Sequence, residues 1–290
     1  MTDIPLTLLV LGLLAAALLL AWGAAHLLRR LSLTAVQRLP PVLRWLARQR
    51  LVARVAEGLS RRFPRTAAFV ADRFRTDRFA GLPLTLVAAA AAYLAALLGG
   101  LVEELLEAEE IVAVDEAVND AFTPYRVAPL VQIVGWITRL ADSASLTAVA
   151  AVTSAFLLSF HAARLLLPLW VTVLGANIST WAGKFAFDRP RPEFVTEVTA
   201  ISASFPSGHA TGAMAVYGFI AYLLARDRSR ARTRFEILFW SAALIAVIAL
   251  SRMYLSVHFA SDVAAGLLVG GFWLLVGIAI TELRRTGRPH

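Results

Sequence analysis

The sequence predicts an all-α protein, a polytopic membrane helical bundle, on three observations. Hydrophobic residues make up 59% of the 290-residue chain and charged residues only 17%. With a mean hydropathy of +0.69, this is more apolar surface than a soluble chain of this length can bury. The apolar residues gather in runs of about 18–25, the length that crosses a hydrocarbon core about 30 Å thick. Charge lies between the runs, arginine in some connections and acid in another, as expected for loops sorted to opposite faces of a bilayer.

Seven spans follow, near 5–28, 81–102, 144–162, 164–187, 208–225, 236–254 and 260–281. The residues before the first run carry Asp3 and no Lys or Arg. That run is also too long for a secretory h-region, so it reads as an uncleaved anchor. Residues 29–79 hold thirteen arginines against Glu57, Asp72 and Asp77 and should face the cytoplasm. Within them Leu43, Ala47, Leu51, Val55, Leu59 and Phe63 recur every four residues beside arginines. That pattern predicts an amphipathic helix on anionic lipid headgroups, with packing on a protein partner as the alternative. Pro40-Pro41 and Pro64 should break the region into at least two pieces.

The stretch 103–126 holds Glu103, Glu104, Glu107, Glu109, Glu110, Asp115, Glu116 and Asp120. It falls on the opposite side, in an outer connection that runs to 143, and its five acids at 103–110 read as solvated outer loop. No His or Gly turn gives its acids a metal-binding spacing. The loop 226–234, with Arg226, Arg228, Arg230, Arg232 and Arg234, and the tail with Arg284, Arg285 and Arg288 return to the cytoplasmic side. The N-terminus is then outside and the C-terminus inside. The net charge of +8 belongs to these loops and points to headgroups, not nucleic acid. There is no cysteine, which excludes thiolate metal sites and cysteine nucleophiles. Two regions result: 1–79, the anchor with its basic segment, and 80–285, the remaining spans.

The chemistry gathers around the single lysine, Lys184, in a chain whose other permanent cations are all arginine. Three segments follow in order: Lys184-Phe-Ala-Phe-Asp-Arg-Pro-Arg191-Pro192; Pro206-Ser207-Gly208-His209; and Ser251-Arg252, with His258 and Asp262 beyond it. The topology, derived without them, puts all three at the outer ends of their spans. Lys184, Arg191 and Arg252 bring three cations, enough to neutralise a phosphate or diphosphate. Pro190 and Pro192 forbid helix beyond Lys184, so Arg191 should sit on a rigid loop folding back. Ser207-Gly208-His209 opens a helix, whose free N–H groups favour an anion. His258 and Asp262, four apart, are neighbours on one helical face, where a carboxylate can fix the imidazole tautomer. Arg189, outside these segments, reads as a further phosphate contact or as loop surface.

These segments and spacings resemble the three signature motifs of the type 2 phosphatidic acid phosphatase (PAP2) superfamily. The resemblance spans roughly 80–281 and implies a six-span core, leaving one extra N-terminal span. It implies His258 as nucleophile, Asp262 as its orienter and His209 as general acid. Lys184, Arg191, Ser207, Gly208 and Arg252 would bind phosphate. The reaction would pass through a phosphohistidine without metal or cofactor. The implied setting is a bacterial inner membrane with the site facing the periplasm. Undecaprenyl pyrophosphate, phosphatidylglycerophosphate and phosphatidate are candidate substrates. A lipid phosphotransferase using the same histidine, or a scaffold that binds without turnover, are the alternatives. Vanadium haloperoxidases share the pocket chemistry but are soluble.

Overall fold

The computed structural model describes residues 3–47, 61–75, 79–107, 109–192 and 202–286. Among them are ten α-helices and no strand: α1 Asp3–Ala47, α2 Pro64–Arg73, α3 Leu82–Glu107, α4 Glu109–Phe122, α5 Ala128–Thr138, α6 Ser143–Ser159, α7 Leu166–Phe187, α8 Gly208–Arg226, α9 Ala231–Tyr254 and α10 Ala260–Thr286. Six stretches are long and apolar enough to cross a membrane: Thr7–Arg30, Leu82–Glu107, Ala163–Phe187, Gly208–Arg226, Ala231–Tyr254 and Ala260–Arg285. The pair Ala128–Ala141 and Ser143–Ser159, bent by 45°, supplies a seventh if taken as one span. The protein is thus an all-α, multi-pass membrane protein. It divides into two compact units, 8–85 and 86–290 with the first seven residues.

Two expectations for the first unit meet the structure differently. Helix α1 continues through Pro40-Pro41 to Ala47, where the sequence places a break. Each proline forfeits one backbone hydrogen bond but locks φ near the helical value, so the chain can hold its course. Pro64 does start a new helix, at the first turn of α2, where its missing N–H costs nothing. Leu51, Val55 and Leu59 of the expected amphipathic helix lie outside the described residues.

In the second unit the expected outer loop 103–143 is instead mostly helical. Ile111, Asp115, Val118, Asn119 and Phe122 of α4 are its less exposed positions, a face of helical period. Within that acidic stretch Asp115 is buried, 1% exposed. The span expected at 144–162 stops at Ser159, and His161 turns the chain with φ 56°.

Helix α8 occupies the centre, packed against α7, α9 and α10. In lipid, helices gain little from hiding apolar groups and associate through close packing of small residues. Ala210, Ala213, Ala215, Ala221 and Ala225 give α8 such a surface, all nearly inaccessible. Opposite them, Gly266 and Gly270 of α10 let the backbones touch. A Cβ on Gly266 would fall 2.6 Å from the Ser207 carbonyl oxygen, and one on Gly270 2.5 Å from that of Thr211. The crossing brings the first turns of α8 and α10 together, where Ser207 N–H donates to the Asp262 carbonyl at 2.9 Å.

Candidate active site

Helix α7 ends because Asp188 takes the left-handed conformation, φ 37°, its N–H returning to the Lys184 carbonyl at 3.2 Å. Aspartate tolerates that region better than most residues. Pro190 and Pro192 then hold the chain extended. Lys184 therefore stands in the last turn and Arg191 on the returning segment, as the prolines predict. Both reach the same backbone: Lys184 Nζ donates to Ser202 Oγ at 3.3 Å and to the Ala203 carbonyl. Arg191 Nε donates to the Ser202 carbonyl at 3.0 Å and Nη1 to that of Val257 at 2.6 Å. Burial pulls the Arg191 guanidinium below its ordinary pKa, with Asp262 opposing.

His258 lies between α9 and α10 and is 3% exposed. Burial pushes its imidazole down to about 3; Asp262 opposes, while Arg252 and Arg191 add to the fall. At neutral pH the ring is the free base. Its Nε2 is 3.2 Å from Arg191 Nη1. A guanidinium only donates, so Nε2 is the acceptor and the ring proton sits on Nδ1. Nδ1 faces Asp262 Oδ2 at 3.5 Å, a charge contact longer than a hydrogen bond. Asp262, four residues on in the first turn of α10, is itself held on both oxygens. Oδ2 accepts Phe259 N–H at 2.9 Å and Oδ1 accepts Arg189 Nη1 at 2.8 Å.

Three buried side-chain atoms here have no hydrogen-bond partner: Ser207 Oγ, Arg252 Nε and His258 Nδ1. Ser207 is the N-cap of α8 yet makes no side-chain cap. Arg252, 3% exposed, uses Nη1 on Thr138 Oγ1 at 2.8 Å. A buried donor without an acceptor is costly; the His258 Nδ1 proton faces Asp262, but Ser207 Oγ and Arg252 Nε suit an anionic ligand in the space beside them. That space is a cavity of about 260 Å³ lined by Lys184, Arg191, Gly208, His209, Arg252 and His258, with largely apolar walls from Leu146, Val173, Ala176, Trp181, Ala215 and Val216. The structure thus brings six of the eight expected site residues onto one cavity. Ser207 is adjacent at the helix cap, and Asp262 stands behind His258.

Four further residues belong to the constellation. Arg189 is not loop surface, one of the two readings its sequence suggests, and it does not line the cavity. It bridges Asp262 Oδ1 and Asp115 Oδ2, each at 2.8 Å, and its guanidinium stacks on Phe259 at 4.5 Å. Asp115 also accepts Ser261 N–H at 2.9 Å and the Ser261 hydroxyl. Asp142 lies 2.7 Å from His209 Nε2. None of Asp115, Asp142 and Ser261 has a neighbour in sequence that marks it; only the helical face of α4 hints at Asp115.

Against families of known proteins, residues 164–285 match the PAP2 superfamily, a stretch that contains every motif residue. That matched part of the chain is similar to the PAP2 superfamily. A curated relative, "Phosphatidylglycerophosphatase B" of Bacillus subtilis (strain 168), is 34% identical over 131 residues, 38% of this chain and 64% of that protein. The chain thus matches under two thirds of that relative's length. Among solved structures, the "transmembrane PAP2 type phosphatidylglycerolphosphate phosphatase from Bacillus subtilis" aligns with TM-score 0.60 at 26% identity, over 68% of this chain and 97% of that one. Aquifex aeolicus LpxE aligns at TM-score 0.45 and 22% identity, over 59% of this chain and 95% of that one.

Proposed function

We propose that this protein is a PAP2-type enzyme that hydrolyses a lipid phosphate or diphosphate through a phosphohistidine on His258. The observation that carries the reading is the state of that ring: neutral, with Nε2 held by Arg191 at a cavity ringed by three cations. Lys184, Arg191 and Arg252 neutralise the phosphoryl oxygens, and the Ser207 hydroxyl and first-turn amides of α8 add donors. His258 Nε2 attacks phosphorus. The bond to the lipid oxygen breaks, and that oxygen takes a proton from His209. Asp262 stabilises the cationic ring that forms. Water then attacks the phosphohistidine, giving its proton to His209, and the P–N electron pair returns to Nε2. A positioned acid contributes about 10²–10⁴ in rate.

The relatives' names make phosphatidylglycerophosphate the first substrate to try, with undecaprenyl pyrophosphate and phosphatidate beside it. The apolar cavity walls suit the acyl or isoprenyl chain. The arginine-rich connections support a site at the outer, periplasmic face of a bacterial inner membrane. Their charge also favours anionic headgroups as the partner of the basic segment, residues 29–79. The test is phosphate release by purified protein in detergent with EDTA, wild type beside His258→Ala. Turnover of one of these lipids that survives EDTA and vanishes in the variant supports the proposal. Activity retained by the variant, or lost to EDTA and restored by a divalent cation, overturns it.

A further inference from the structure

A second carboxylate stands against a second histidine, and no motif contains it. Asp142 occupies the N-cap position of α6, where an aspartate ordinarily accepts an amide of the first turn and stabilises the helix by about 1 kcal/mol. It makes no such bond. Its Oδ1 instead lies 2.7 Å from His209 Nε2, across 67 residues of sequence. The break between α5 and α6 aims it there: the chain bends by 45° between Ala141 and Ser143, turning Asp142 toward the first turn of α8. Thr138, one turn earlier, holds Arg252 Nη1 at 2.8 Å, so one short segment touches two residues of the cavity.

We propose that Asp142 is the positioning residue of the general acid, a claim that rests on the assignment of His209 made above. A carboxylate only accepts, so the nitrogen facing it is N–H, and Nδ1 is the ring nitrogen left to exchange a proton with the leaving oxygen. In the first step the imidazolium gives its Nδ1 proton to the lipid oxygen and stays neutral with Nε2–H on Asp142. In the second step Nδ1 takes the proton of the attacking water. Asp142 remains a carboxylate throughout. Its charge matters because the other charged groups near the ring are cations: Arg252 from α9 and Arg191 from the segment after α7, with Lys184 of α7 lining the same cavity beside His258. Without an anion on the far side, a protonated His209 would face positive charge from each of these arginines.

The experiment compares kcat/KM for a lipid phosphate, whose alkoxide must be protonated to leave, with that for 4-nitrophenyl phosphate, whose phenolate leaves unaided. Wild type, Asp142→Asn, Asp142→Glu, His209→Ala and the Asp142→Asn/His209→Ala double variant are measured. Asp142 is 46% exposed at its side chain and caps nothing, so its variants should fold; melting in detergent checks this. The expected result is a loss of about 10–10²-fold on the lipid for Asp142→Asn, within the range for a general acid. The nitrophenyl ester should lose less than about threefold, Asp142→Glu should recover part of the lipid rate, and the double variant should equal His209→Ala. Should His209→Ala itself lower both substrates equally, the acid assignment fails, and the proposal with it. If His209→Ala is selective for the lipid but Asp142→Asn lowers both equally or neither, the acid stands and the role of Asp142 is refuted.

Discussion

Replacing Arg189 by methionine separates a buried support from an idle loop residue. The guanidinium is 11% exposed and lies 2.8 Å from each of Asp115 and Asp262, whose side chains are 1% and 0% exposed. It also donates to Ser261 Oγ at 2.7 Å. Methionine keeps most of the stem and removes the charge, leaving two acids where water scarcely reaches. Removing one partner of a buried pair costs about 3–5 kcal/mol. Because one cation serves both acids, the two losses are a single event and do not add. The expected destabilisation is therefore about 3–5 kcal/mol, read from unfolding in mixed dodecyl maltoside–SDS micelles. Activity should fall as well, since Asp262 backs His258 and Arg191 is two residues along the same segment. Arg189→Lys should fall between, because an ammonium lacks the fork that spans two carboxylates. A loss below about 1 kcal/mol for the methionine variant, the worth of an exposed pair, refutes the reasoning.

Three other outcomes follow from the geometry. The His258 pKa drops from 6.5 to about 3 on folding through burial, so between those values the unfolded chain binds a proton that the folded chain does not. Its contribution to stability is complete above pH 6.5 and is lost as pH falls toward 3, about 2–3 kcal/mol by about pH 4.5. Melting profiles of wild type and His258→Gln should therefore converge or cross on acidification, and parallel profiles would contradict the burial argument. Gly266→Ala sets a Cβ 2.6 Å from the Ser207 carbonyl oxygen, whereas Gly99→Ala meets nothing within 4 Å. The first should cost about 1–3 kcal/mol and most of the turnover, the second almost nothing, both read by melting and phosphate release. Arg252→Lys keeps the charge but loses the unpartnered Nε; kcat should drop by about 10²–10³-fold, and unchanged turnover would remove Arg252 from the phosphate cradle.

What the sequence discloses here is what depends on local rules. Apolar run length and arginine placement set the number of spans, since bilayer thickness and headgroup charge act on each segment separately. Pro190 and Pro192 foretell the turn that separates Lys184 from Arg191, and the spacing of His258 and Asp262 puts them on one face. Helix α4 and Asp115 stayed hidden because the glutamates around them look like solvated loop until α4 is seen packed with its Asp115 face inward. Asp142 stayed hidden for a related reason: aspartate before Ser-Ala-Ser reads as an ordinary helix cap, and only the bend at the start of α6 diverts it to His209. Arg189 sits inside a motif segment, yet its partners are 73 and 74 residues away, a distance no local pattern spans.

The two histidine–carboxylate pairs differ in the property their proposed roles require. A nucleophile must keep its lone pair, and any proton that reaches His258 disables it. Its carboxylate is 0% exposed and the ring 2%, and desolvation excludes the charged form. A general acid must be recharged in every cycle, which needs a path to water. Its carboxylate is 46% exposed and the ring 23%. On the proposed roles, the difference in water access between the two pairs would suit the rings to opposite tasks, the chemical identity of the groups being the same in both. If that division is the cause, moving Asp142 toward burial should slow turnover without altering phosphohistidine formation from an activated ester, because only the reprotonation of His209 would be impeded.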